Sequence, residues 1–346
     1  MSRAALKALS LGLAVLACLP FGALASAEAI QWVTVGDPGN TADTTTYGAV
    51  ADSFRIMKYE FTNQQYTDFL NSVAKTDTYS LYNSSMDSNA RGGITQSGTS
   101  GAYTYAVKTD MGDKPVNYVS WFDAARVSNW LMNGATSSSS TETGAYTLVG
   151  GQTSGTPPAV NSNATFYLPT EDQWYKAAYY KGGGTNTGYW TYATQSDTAP
   201  TAVTAGLTGI GSAGSTGNFA NYKNAASWNA RIGNVTTVGT NGVASFYGAF
   251  DMNGNIDEWN DLTGAAGGFR GLRGGDWSDT GAFALASSAR STSPASTTGS
   301  NDIGFRLASP VNSAPVPEID PAGMGSVLAL VTGALGLLER RRLKAA

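Results

Sequence analysis

Alternation of apolar and polar positions marks residues 30–35 and 54–59 as strands, both rich in β-branched and aromatic side chains. Between them, residues 36–46 are dense in Gly, Asp, Asn and Thr and read as a loop. The period then changes. Tyr66, Phe69, Leu70 and Val73 stand at i, i+3, i+4 and i+7, which predicts a helix of about three turns with one buried face. Thr62 and Gln65 ahead of it form a T-x-x-Q capping box. Ser120 with Asp123 starts a second helix that buries Trp121, Ala124, Ser128 and Leu131 and stops at Asn133-Gly134. Thr170 with Gln173 starts a third, which turns Trp174, Ala177 and Ala178 inward. Residues 166–168 read as a short strand before it. The connections are long. Residues 75–111 predict a polar loop with a short hairpin at 102–108, residues 135–163 an exposed excursion, and residues 182–217 a Gly/Thr/Ser stretch carrying Trp190 and Tyr192. No repeat and no dividing linker interrupts residues 28–309. They predict one loop-rich α+β unit with few regular elements.

Composition sharpens this picture. The chain is 42% hydrophobic and only 13% charged, with 42 glycines, while 11% aromatics supply a core. There is no histidine, and the only cysteine is Cys18. That excludes Ser-His-Asp and Cys-His nucleophiles and histidine-held zinc, copper or iron.

The two ends carry targeting signals. Arg3 and Lys7, an apolar run over residues 8–19 and Ala25-Ser26-Ala27 read as a secretory signal over residues 1–27, with the mature chain starting at Glu28. Val15-Leu16-Ala17-Cys18 also permits a lipoprotein signal, against which bulky Leu16 argues. At the other end, residues 310–346 hold a linker, Val316-Pro317-Glu318-Ile319-Asp320, an apolar run over 321–338 and then Arg340, Arg341, Arg342 and Lys344. About 17 apolar residues suffice for a thin bilayer core, with the basic cluster left in the cytoplasm. A plain membrane anchor is one reading. The ordered pattern also resembles PEP-CTERM sorting tails, which implies an exosortase-type sorting enzyme as partner. It further implies transient anchoring in the inner membrane and delivery to the outer surface or envelope of a Gram-negative-type bacterium. Removal of residues 1–27 and of those beyond Leu338 takes away six basic residues and one acidic one, moving the formal charge from −4 to −9. Such a domain has no basic patch for nucleic acid.

The densest chemistry lies in residues 247–259, YGAFDMNGNIDEW, followed by GFRGLRGGDWSD at 268–279. Carboxylates, amides and glycines in this mixture suit either an Asx-rich turn or an oxygen cage for a hard cation. GNIDEW resembles the GN-x-WEW signature of the formylglycine-generating enzyme (sulfatase-modifying factor) family. RGGDW at Arg273–Trp277 resembles its RGGSW, and GFR at Gly304–Arg306 its closing GFR. YEFTN, PVNYVSWFDAARVSNW and LPTEDQWYKAAYY match upstream in the same order.

The resemblance implies the formylglycine-generating-enzyme fold, a C-type-lectin-like arrangement. It also implies calcium in a structural role. One site would take carboxylates from Asp251 and Glu258 and carbonyls from Gly254 and Ile256. A second would take the side chain of Asn221 and the carbonyl of Tyr222, with Asn229 the nearest stand-in for its missing acid. The family's oxidase activity rests on two cysteines that hold copper. Here the matching stretch is SDTGAFALASSAR, with Asp279 near the first cysteine position and residues 281–285 spanning the second. Carboxylate and methyl groups cannot replace thiolates for Cu(I), so no copper is expected. The histidine triad of the family's iron-dependent members is missing too.

Two functional readings follow. One is a binding or structural module of the envelope, with an envelope polysaccharide or protein as partner. The other is an enzyme with carboxylate-based chemistry, drawing on Asp257, Glu258, Asp261 and Asp276. Asp257 stands where the family usually has Trp. Arg273 and Arg306 are expected in buried salt bridges. Trp190, Tyr192, Trp228 and Trp277 are either core or stacking faces for sugars.

Overall fold

The computed structural model describes residues 30–295 and 299–311. The expected secretory signal over 1–27 and the expected sorting tail lie outside the described residues. Among the described residues no helix is long and apolar enough to cross a membrane.

The chain opens with β1 (Trp32–Val35), paired antiparallel with β2 (Phe54–Met57). Helix α1 (Asn63–Val73) begins where its capping box placed it: Thr62 Oγ1 accepts from the Gln65 amide, and the Thr62 amide donates to Gln65 Oε1. A one-turn helix, α2 (Ser85–Ser88), leads into the hairpin β3 (Ile94–Ser97) and β4 (Thr104–Val107). The hairpin is therefore longer than expected. Residues 102–108 give only its second arm, because the alternation of residues 94–97 is too short to stand out from the polar stretch around it.

Helix α3 (Trp121–Met132) carries the Ser120–Asp123 box. It is buried from Trp121 to Leu131 on every side, not along one stripe. A helix enclosed all round is core. What encloses it includes the segment expected to be an exposed excursion: Ala145, Tyr146 and Leu148 are buried, and Tyr146 Oη donates to Asp261 at 2.7 Å. The low apolar content of residues 135–163 concealed three residues that dock deeply. Residues 166–168 form no strand; Tyr167 makes a single bridge to Ala308. Helix α4 (Glu171–Tyr179) starts at Thr170 and Gln173 and buries Trp174, Ala177 and Ala178. A minimal parallel pair follows, β5 (Thr201–Ala202) with β6 (Phe219–Ala220).

The last third builds the sheet that carries the site. Strands β7 (Asp257–Asn260), β8 (Phe269–Arg273), β9 (Ser291–Pro294) and β10 (Ile303–Phe305) lie in the order β10-β7-β8-β9, with β10 parallel to β7. Then β11 (Ala308–Pro310) crosses to the first sheet and pairs with β2, giving β1-β2-β11. The chain's final described strand thus closes on its opening hairpin. One core cluster lies around α1 and α3, with Phe69, Trp121, Trp130, Trp259 and Phe305; another lies around α4, with Val35, Phe54, Ile56, Trp174 and Tyr179.

Arg306 sits in the link between β10 and β11 and is wholly buried. Its Nε and Nη2 each reach Glu258 at 2.6 Å, and Nη2 also donates to the Phe250 carbonyl at 2.8 Å. Nη1 donates to the Met57 carbonyl at 3.2 Å, and Trp174 Nε1 donates to Glu258 Oε2 at 2.8 Å. One ion pair therefore ties together β2, α4, β7 and the β10–β11 link. Removing one partner of a buried pair leaves an uncompensated charge, a loss of roughly 3–5 kcal/mol. Arg306→Met should lower stability by about that amount in urea titration. A loss within about 0.5 kcal/mol would show that the pair holds nothing.

Candidate functional site

Strand β8 ends at Arg273, and Gly274-Gly275 turns the chain back. Gly275 has φ +72°, and a Cβ on it would lie 2.7 Å from both Asp279 Oδ2 and Leu285 Cδ2. Glycine is required there for the dihedral and for the space. The turn aims two consecutive amides at two carboxylates. The Gly275 amide donates to Asp257 Oδ1 at 3.1 Å, and the Asp276 amide donates to Asp279 Oδ2 at 2.9 Å. Asp276 itself folds onto the Ser278 amide at 2.6 Å.

These groups border a cleft of about 490 Å³, lined by Asp257, Asp279, Phe283, Ser288 and Arg290 among others. The stretch SDTGAFALASSAR thus contributes Asp279, Phe283, Ala284, Ser288, Ala289 and Arg290 to its lining. Asp257, expected on the core-facing side of its motif, is half-buried and borders the cleft. Burial, and then Asp276, Asp279 and Asp302, raise its carboxyl to about 8. Burial raises Asp276 to about 6 and moves Asp279 upward as well.

Two cations, Arg273 and Arg290, line the same cleft. Glu171, at the start of α4, is shared by two guanidiniums: Arg273 Nη2 at 2.6 Å and Arg290 Nε at 2.9 Å. Arg273 is buried and also donates to the Ser287 and Ala289 carbonyls. Arg290 keeps 35% of its side chain exposed. Tyr47 lies beneath both, at 4.9 and 5.7 Å.

The other carboxylates of the expected acid/base set are structural. Glu258 is held by Arg306. Asp261 accepts from Trp121 Nε1 and Tyr146 Oη and pairs with Arg270 at 2.9 Å. Trp228 and Trp277 are buried, their indole nitrogens spent on the Val235 and Asn301 carbonyls, so neither offers a stacking face. Trp190 and Tyr192 are half-buried.

The fold, the sheet and this cleft invite comparison with known proteins. The family model for the sulfatase-modifying factor enzyme 1-like domain matches residues 30–311. The chain belongs to that family. The crystal structure of CarF is 23% identical, with TM-score 0.50, and the match covers 82% of this chain and 99% of CarF. Variable protein 1 of Treponema denticola matches at 19% identity and TM-score 0.47, over 81% of this chain and 95% of its own. PvdO from Pseudomonas aeruginosa matches at 18% and 0.41, over 82% and 92%. No match was found among the curated proteins. The sulfatase-modifying-factor domain has, as expected, an α+β, loop-rich, formylglycine-generating-enzyme-like fold.

The expected calcium ligands are arranged differently from the expectation. Both Glu258 oxygens are taken by Arg306 and Trp174, and the Gly254 carbonyl accepts the Ile256 amide. Asp251 accepts the Gly239 amide and Asn241 Nδ2. Within the set Asp251, Gly254, Ile256 and Glu258, the Glu258 carboxylate is already paired with a guanidinium. In the second set the Tyr222 carbonyl accepts the Ala225 amide, and Asn229 is turned to the Ala90 carbonyl. Two buried oxygens nearby have no hydrogen-bond partner: Asn221 Oδ1 and Glu60 Oε1. Both side chains bond Asn255 through their other atom, at 3.1 and 2.9 Å. Burial, then Asp251 and Glu258, push Glu60 well above the usual carboxylate range. Glu60, Asn221 and Asp251 are thus acidic or amide groups here that no cationic side chain of the described residues pairs with. Among the described residues no three acidic or thiol side chains converge as a metal site, so amide and backbone oxygens would have to complete it.

Sequence reasoning missed Glu60 and Arg290. Each had a signal: Glu60 is a lone acid directly before buried Phe61, and Arg290 a lone base within a Ser/Ala/Thr-rich stretch.

Asp257 also fixes a pH dependence. Its carboxyl is raised from 3.8 to about 8, so the folded state favours the protonated form. That contribution is complete below the ordinary value and is lost as pH rises through about 8. Asp257→Asn stays neutral throughout. Its melting midpoint should match the wild type's only below the ordinary value of 3.8, exceed it by a margin that grows as pH rises towards about 8, and stay above it by a constant margin beyond. Parallel curves over the whole range would refute the shift.

Proposed function

We propose that residues 28–309 form a ligand-binding domain that lacks the oxidase chemistry of its family and acts as an exported module of the cell envelope. The observation that carries this is the cleft wall. Asp279 stands near the family's first thiol position and residues 281–285 span the second, and Asp279, Phe283 and Ala284 of these line the polar cleft. The sequence supplies no cysteine beyond Cys18 and no histidine to take over copper binding. The secretory signal over 1–27 and the tail over 310–346 support export, an exosortase-type sorting enzyme as partner, and an envelope polysaccharide or protein as neighbour. The charge of the processed chain speaks against nucleic acid.

A second reading draws on the same wall. A protonated Asp257 beside Asp279 has the makings of a general acid and a general base. Loss of turnover in Asp257→Asn with ligand binding retained would favour it.

The purified protein, incubated with copper and a cysteine-containing sulfatase peptide, should form no aldehyde and retain no copper after gel filtration. Formation of formylglycine would overturn the proposal.

The proposal includes a structural calcium ion at Glu60, Asn221 and Asp251, where it would offset buried negative charge and join the segment around residue 60 to the loops at 221 and 251. Calcium should then raise the melting midpoint relative to chelator, and Glu60→Gln should abolish that difference. Coincident melts of the wild type in calcium and in chelator would remove the ion, leaving Glu60 simply protonated.

A further inference from the structure

The cleft is bipolar, and its two poles are not paired with each other. On one wall a single carboxylate, Glu171, serves two guanidiniums, which leaves that wall with a net positive charge. Arg273 is buried and saturated by Glu171 and two carbonyls. Arg290 is the exposed member, and both of its contacts to Glu171 run through Nε. It lines the cleft and is the more accessible of the two cations there. On the other wall Asp257 and Asp279 rest on consecutive amides, and neither has a salt bridge among the described residues. Phe283, 72% exposed, borders the cleft with an apolar face.

A lone anion would meet repulsion from Asp279, and a lone cation would meet Arg290. A ligand carrying both charges satisfies both walls. From this we infer that the cleft takes a small zwitterion of about dipeptide size. Its carboxylate lies on Arg290 and its ammonium against Asp279, and an apolar side chain rests on Phe283. A volume of about 490 Å³ lies within the usual range for small-ligand sites. Guanidinium holds carboxylate through two parallel hydrogen bonds, which gives this end its direction. The inference rests on the reading of the domain as a binding module and names its ligand.

The test uses the full-length protein and three probes in calorimetric titration: glycyl-phenylalanine, its N-acetyl form and its C-terminal amide. The free dipeptide should bind about tenfold or more tightly than either blocked form, the usual effect of losing a charge-assisted hydrogen bond. Arg290→Gln should erase the preference over the amide while keeping the preference over the N-acetyl form; Arg290→Lys should retain both. Asp279→Asn, still able to accept the Asp276 amide, should do the reverse of Arg290→Gln. Equal binding of blocked and free dipeptides, or no heat from any of the three, overturns the inference. A neutral oligosaccharide that binds and is lost in Asp279→Asn also overturns it, yet leaves the binding reading intact. Aldehyde formation on a cysteine peptide would instead overturn the reading beneath it.

Discussion

A single buried guanidinium organises this domain. Arg306 closes on Glu258 from the link between the last two strands, and through that pair the end of the domain is fixed to its beginning. An ion pair with neither partner exposed is expensive to desolvate and is tolerated when further hydrogen bonds satisfy both partners. Here the Phe250 and Met57 carbonyls and the Trp174 indole do so. A domain with long irregular connections and no cysteine beyond residue 18 needs such long-range ties, since short strands and three capped helices cannot by themselves hold the loops.

The cleft follows from what that pair leaves over. Glu258 is consumed in the core, while the adjacent Asp257 is turned the other way along the strand and borders the cleft. Gly274 and Gly275 then reverse the chain tightly enough for neighbouring amides to seat Asp257 and Asp279 together. Asp257 and Asp279 thus share one cleft with Arg273 and Arg290, which α4 holds through Glu171.

Much of this was legible along the chain where the physics is local. The three capping boxes, Thr62 with Gln65, Ser120 with Asp123 and Thr170 with Gln173, stand at the helix starts they predicted. Their partners are three residues apart, so the sequence contains both halves of each interaction. The first strands were found for the same reason. The hairpin was half seen, because its arms are separated by a polar turn, and the docking of Tyr146 was missed, because its partner Asp261 lies 115 residues away.

The same distinction governs the site. Glu258 looked like a calcium ligand within its own motif, and nothing near it in sequence announced that Arg306, 48 residues on, would claim it. Glu60 and Asn221 look unremarkable until folding brings both to Asn255. The residue inventory alone removed imidazole chemistry and left a single thiol, Cys18, since a side chain that is not encoded cannot act. Which carboxylates are neutralised, which are left facing solvent, and which arginine faces them was decided only in three dimensions. Charge pairing depends on distance through space, and the chain order does not encode that distance.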